Sequence, residues 1–148
     1  MAYVRDVDMG YKHIVQSMRK LNGMEISAGI LRDAGNSKKG VPLVDIAFYN
    51  EYGTRHIPSR PFVRIASDDN RKKWEKMAGD CVGRVIDGGD VSDVGKTLGK
   101  EMVSDIRDVF GDTSRVVSNA PATIRKKGRD EPLVDTGAMK KSVNYRVE

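Results

Sequence analysis

The sequence predicts an α+β fold: a small antiparallel sheet packed with three to four helices. Period-two alternation occurs near residues 24–31 and again near 142–147, the mark of half-buried strands. Between them, apolar residues recur mostly at spacings of three and four, the period of a helix. A chain of 148 residues is also of a size for one domain with a core of its own, spanning 1–148.

The elements follow in order. Asp8 is placed to cap a helix over about 10–22, with Tyr11, Ile14, Met18 and Leu21 on one face and Asn22-Gly23 at its end. Met24, Ile26, Ala28 and Ile30 then share one side of a strand. Residues 32–42 form a polar loop rich in turn formers. A short helix over 43–52 turns Leu43, Ala47 and Phe48 inward.

Next comes a stiff loop. Gly53 is suited to a left-handed helix stop. Pro58 and Pro61 fix their own φ and push Ile57 and Arg60 towards extended backbone. Phe62 opens a second helical region, expected to break near Ser67-Asp68-Asp69, with Trp74, Met77, Ala78, Cys81 and Val85 facing inward. Asp87-Gly88-Gly89-Asp90 interrupts it. Ser92 is expected to cap the most amphipathic helix, whose stripe is Val94, Leu98, Met102, Ile106 and Val109 or Phe110. Residues 111–132 show no period and read as an extended arm, either a long loop or a hairpin. Asp135-Thr136-Gly137 starts a turn of helix over 137–141, with Asp135 or Thr136 as its cap. Val143, Tyr145 and Val147 alternate in a closing strand that pairs with the first.

Composition excludes several chemistries. Cys81 stands alone, so there is no disulfide framework or cysteine cluster. His13 and His56 are far apart in sequence, and no metal site or cofactor motif is expected. No apolar run has the length of a membrane span or the form of a signal peptide, so folding in the cytoplasm is expected. The formal net charge of +5 permits contact with nucleic acid or an acidic protein without requiring it, because 26 basic residues are interspersed with 21 acidic ones.

Three local motifs invite chemistry. Leu133-Val-Asp-Thr-Gly-Ala138 resembles the active-site turn of retroviral-type aspartic proteases, in which two carboxylates share a proton and Asp135 would serve in a homodimer. Too little chain follows Gly137 for the strands that fold requires. Gly95-Lys96-Thr97 resembles the end of a phosphate-binding loop, but Asp90 stands where its first glycine belongs, and no strand precedes it. Arg125-Lys126-Lys127-Gly128-Arg129 is basic enough to track phosphate, yet lacks interleaved aromatics. No nucleophile, base and orienting group are spaced for catalysis, so no catalytic residue is assigned.

Asn50-Glu51-Tyr52-Gly53-Thr54, followed by Ile57-Pro58-Ser59-Arg60-Pro61-Phe62, resembles the signature of the neck or minor-tail component family of tailed double-stranded DNA bacteriophages. These are head–tail connection, or tail-completion, proteins. Asn119-Ala120-Pro121, Thr123-Ile124, Lys127-Gly128, Pro132 to Gly137 and Ser142 to Val147 resemble the family's C-terminal part, in the same order. The resemblance implies a small α+β subunit without catalysis or cofactor. It would form a ring, commonly a hexamer, between an adjacent neck or head-closure ring and the tail tube or its terminator. Its place would be the head–tail junction of the virion, after assembly in the host cytoplasm.

The expected contact residues are Asn50, Glu51, Tyr52, Gly53, Thr54, Arg55, Pro58, Arg60, Pro61 and Phe62, with Arg60 and Phe62 foremost. Arg125, Lys126, Lys127 and Arg129 of the arm, and Asp135, Thr136 and Gly137, complete them. The basic arm faces either channel DNA or an acidic partner ring. A tail-tube terminator or an assembly factor of the same phage is the alternative within this class. A basic nucleic-acid-binding domain is the alternative outside it.

Overall fold

A computed structural model describes residues 8–148. The fold is α+β, with six helices and one two-stranded antiparallel sheet among the described residues. In chain order the elements are α1 (Tyr11–Asn22), β1 (Ile26–Ile30), α2 (Leu43–Tyr52), α3 (Phe62–Ile86), α4 (Val91–Asp108), α5 (Pro121–Lys127), α6 (Ala138–Ser142) and β2 (Val143–Val147). β1 and β2 pair from Ile26 opposite Val147 to Ile30 opposite Val143. Glu25 and Glu148 continue the ladder by exchanging backbone hydrogen bonds of 2.8 and 2.9 Å.

The helical hairpin α3–α4 is the spine, and α4 also lies against the sheet. Gly95 and Gly99, one turn apart, let it approach closely. A methyl group at Gly99 would stand 2.1 Å from the Tyr145 ring, and one at Gly95 would stand 2.7 Å from a Val147 methyl. The glycine of the phosphate-loop-like triplet is therefore a packing notch. The core has two parts along this spine. Phe62, Ala66, Val103, Ile106, Val109 and Phe110 lie in one, with Leu43 and Ala47 from α2 and Val143 from β2. Phe62 and Phe110 meet edge to face, with ring centroids 4.9 Å apart. Cys81, Val85, Val94 and Leu98 form the other, covered by Met18 and Leu21 of α1. Cys81 is a small buried hydrophobe there, as its helical face predicts.

Several local expectations need correction. α3 runs unbroken through Ser67-Asp68-Asp69, because both aspartates are exposed while Ala66 keeps the buried period. The cap of α4 is Asp90, whose carboxylate accepts from the Ser92 N–H at 2.8 Å. On α4, Val103 is buried where Met102 was expected, since this helix covers both α3 and the sheet and needs a broader apolar arc. Gly10, in the left-handed region, precedes α1. Asp8 still accepts from Gly10 N–H and Lys12 N–H. Tyr11 is exposed. Segment 111–132 is not structureless: Pro121 opens α5 and Gly128, in the left-handed region, closes it.

Candidate assembly interface

The proline loop is tied down at nearly every residue. Gly53 has φ 75° and ψ 173°, a region open to glycine alone, rather than the left-handed helical stop expected of it. A methyl group there would stand 2.9 Å from Ser59 N, so the loop folds directly over this residue. Thr54 Oγ1 accepts from the N–H groups of His56 and Ile57, and Thr54 N–H donates to the Ile57 carbonyl at 2.8 Å. Ser59 Oγ donates to the Glu51 carbonyl at 2.7 Å, and Arg60 N–H donates to the Asn50 carbonyl at 2.6 Å. The returning strand of the loop is thus stitched to the end of α2.

Glu51 has a second task. Its carboxylate accepts from Val63 N–H at 3.0 Å and from Arg64 N–H at 3.1 Å. Those are unpaired donors in the first turn of α3, whose preceding residue, Pro61, offers no side-chain cap. Glu51 therefore joins the end of α2 to the start of α3 across the loop, with its charge at the favourable end of the helix dipole.

Arg60 and Phe62, foremost among the expected contacts, lie inside the subunit. Phe62 is a core residue. Arg60 is buried; its Nε donates to the Val117 carbonyl at 2.6 Å and its Nη2 to the Ser118 carbonyl at 2.8 Å. Burial lowers its pKa, and the nearby Asp130 carboxylate works in the opposite direction. Asp130 also accepts from Asn119 N–H at 3.0 Å. A local pattern shows an arginine between prolines as exposed. It turns inward because distant carbonyls need donors there.

The two segments that carry the family resemblance meet at this point. Asn50 and Arg60 from one, and Lys127, Asp135, Thr136 and Gly137 from the other, line a single cleft of about 240 Å³. Lys127 Nζ donates to the Val134 carbonyl at 2.5 Å, which fixes α5 against residues 133–137. Arg125, Lys126 and Arg129 remain exposed, the last paired with Glu131 at 2.9 Å. Asp135 is exposed and makes no cap. Thr136 Oγ1 accepts from Ala138 N–H at 3.3 Å, and Gly137 precedes α6.

Sequence reasoning missed the outer face of α2. Phe48, expected inward, is 59% exposed, and Tyr49 and Tyr52 are 47% and 62% exposed. The Phe48 ring lies 4.8 Å from Tyr52 and 6.2 Å from Tyr49 between centroids, and the Arg64 guanidinium stands 6.0 Å from the Tyr52 ring. The available signal was that α2 is apolar on two sides, with Leu43 and Ala47 on the buried one. Tyr52, Thr54, Arg55 and Pro58 are exposed along the adjoining loop. No group of three or more metal-ligating side chains is assembled among the described residues. No protein family, no curated protein and no solved structure matches the chain.

Proposed function

We propose that this chain is a non-catalytic structural subunit of a ring at the head–tail junction of a tailed double-stranded DNA bacteriophage. Its partners would be further copies of itself, an adjacent neck or head-closure ring, and the tail tube or its terminator. The family resemblance of 50–62 and 119–147 is the basis for the proposal. What supports it in the structure is that these two segments line one cleft, with Arg60 of the first bonded to Val117 and Ser118 just ahead of the second and Thr54, Arg55 and Pro58 left on a stiff exposed rim. A subunit that repeats one contact around an axis needs such a rim, because a ring closes only at a fixed rotation.

The test is the mass of the purified protein, alone and after mixing with portal-containing heads or with tail tubes. Stoichiometric decoration of either particle is expected. A chain that stays monomeric and decorates neither would sink the proposal. A terminator ring would bind tail tubes alone, and an assembly factor would be absent from finished particles.

Arg125 and Lys126, exposed and without an ion-pair partner among the described residues, favour one further reading, contact with duplex DNA. That contact would weaken steeply with salt and would be lost on replacing both residues by glutamine.

A further inference from the structure

We infer that the groove between the outer face of α4 and the α6–β2 junction binds the phosphate backbone of duplex DNA. The inference does not rest on the proposed ring, and it places the contact away from the basic arm.

The groove holds about 500 Å³. Lys100, Ser104 and Arg107 line it from α4, at spacings of four and three that put them on one helical face. Lys140 and Asn144 line it from α6 and β2. Arg107 ties the two sides together: its Nη2 donates to the Lys141 carbonyl at 3.1 Å and to the Val143 carbonyl at 2.8 Å. The backbone thus fixes the place of this cation.

The groove is rich in donors and poor in acceptors. Lys100, Arg107 and Lys140 make no ion pair among the described residues. Asp108 is the acid in its lining, and it is exposed. Glu101 and Asp105, also on this half of α4, are held by Lys73 of α3. Asn144 Oδ1 accepts from Tyr145 N–H at 2.9 Å, which leaves its amide NH₂ to donate. Arg107 is the sharpest case. Its Nε is sealed from solvent without an acceptor, and its Nη1 makes no hydrogen bond among the described residues. A guanidinium so short of acceptors gains most from a charge-assisted bond to an arriving oxyanion. Arg107 and Lys140 also suit the C-terminal ends of their own helices. Lys100, in mid-helix, gains nothing of that kind, and the dipoles do not account for three unpaired cations lining one groove.

Three cations against one acid match an anion of high charge density, and a phosphate group is one with several strong acceptors. Lys100 and Arg107 stand about 10 Å apart along α4, a spacing that a run of phosphates spans better than one small anion. The groove offers no aromatic ring for stacking, since Tyr145 lies against Gly99 and the core. A single strand, which binds through such rings, therefore suits it less than the regular backbone of a duplex.

The test is binding of a mixed-sequence duplex of about 20 base pairs, followed by fluorescence anisotropy across a salt series. Two variants of the full chain address the groove: Lys100→Gln with Lys140→Gln, and Ser104→Glu. Lys100 and Ser104 are exposed and Lys140 is half-buried, so circular dichroism and thermal melting should match the parent protein. The parent should bind, with an affinity that falls steeply as salt rises. The lysine variant should bind roughly tenfold more weakly, and its slope of log K against log salt should be shallower by about 2. Ser104→Glu should weaken binding at least as much, because it sets an acid among the three cations. Arg125→Gln with Lys126→Gln should leave the contribution of the groove in place. Loss of all binding in that arm variant, with both groove variants at parental affinity, would assign the duplex to the arm and overturn the inference. Polyglutamate bound as tightly as the duplex, with the same loss in both groove variants, would overturn it in favour of an acidic protein. A parent that binds no duplex at any salt would also overturn it, and particle decoration would decide the ring proposal separately. If inorganic phosphate then raised the melting temperature of the parent but of neither groove variant, the groove would belong to free phosphate.

Discussion

Glu51 caps a helix that it does not belong to: its carboxylate accepts from Val63 N–H at 3.0 Å, across the whole proline loop. With the Arg64 N–H bond at 3.1 Å, it satisfies two of the donors that α3 leaves open. Replacing Glu51 by alanine should therefore cost about 1–2 kcal/mol, the range of a lost N-cap. Glutamine at this position should recover part of the loss, because it keeps an acceptor but not the charge at the dipole. Urea denaturation measures both, and equal stabilities for Glu51→Ala and the parent would show that solvent caps α3 as well as Glu51 does.

Arg60 should be the most sensitive residue of the loop. Its truncation to alanine leaves the Val117 and Ser118 carbonyls without their donor and should cost about 3 kcal/mol. Lysine should rescue little, since a single ammonium cannot reproduce the forked geometry that spans two adjacent carbonyls. Amide hydrogen exchange provides the local readout. Protection should fall in 117–120 and in the loop together, and loss confined to one segment would mean that Arg60 does not couple them.

The contrast between α2 and Arg60 shows what was legible in the sequence. The bounds of α2, 43–52, were readable because Pro42 and Gly53 punctuate it locally, and the two strands were readable because alternation is a local property. The capping by Glu51 and the inward turn of Arg60 depend on groups brought close only by folding, with Val117 lying 57 residues from Arg60 in sequence. Phe48 was misplaced because spacing identifies an apolar position without saying whether the subunit or a partner covers it. α5 escaped notice because its seven residues carry no apolar period, and its helix rests on Pro121, Gly128 and the anchoring of Lys127.

Asp105 joins two donors of α3. It accepts from Lys73 Nζ and from Trp74 Nε1, each at 2.6 Å, and is itself buried. Asp105→Ala should cost about 2 kcal/mol, because the half-buried Trp74 indole N–H loses its acceptor while the Lys73 ammonium keeps only Glu101, at 2.8 Å. The pH dependence has a definite sign. Burial acts to lower the Lys73 pKa, but hydrogen bonds to Asp105 and Glu101 outweigh it and leave the pKa raised. A raised lysine contributes its stability below the unfolded-state value, near 10.4, and loses it as pH climbs through the folded-state value. Above neutrality, the stability gap between parent and Asp105→Ala should therefore narrow only in strongly alkaline solution. The single tryptophan gives an intrinsic fluorescence signal for the titration, and a gap that narrows near neutrality would point to a group other than Lys73.

The glycine notch of α4 separates helix propensity from packing. Glycine to alanine inside a helix gains about 1 kcal/mol from propensity alone. At Gly99 the new methyl would stand 2.1 Å from the Tyr145 ring, which lies against the core between α4 and β1. Displacing it should cost about 1–3 kcal/mol, so Gly99→Ala is expected to be destabilising on balance. At Gly95 the obstruction is Val147, at 2.7 Å, a side chain at the exposed end of β2 that can rotate or shift with the strand end. Gly95→Ala should therefore be much milder, with propensity offsetting most of the clash. Pairing Gly99→Ala with Tyr145→Ala isolates the clash, since the added methyl then meets no ring. In that background Gly99→Ala should be neutral or stabilising in thermal denaturation. A penalty of undiminished size there would mean that the helix backbone at Gly99, and not the approach of Tyr145, requires glycine.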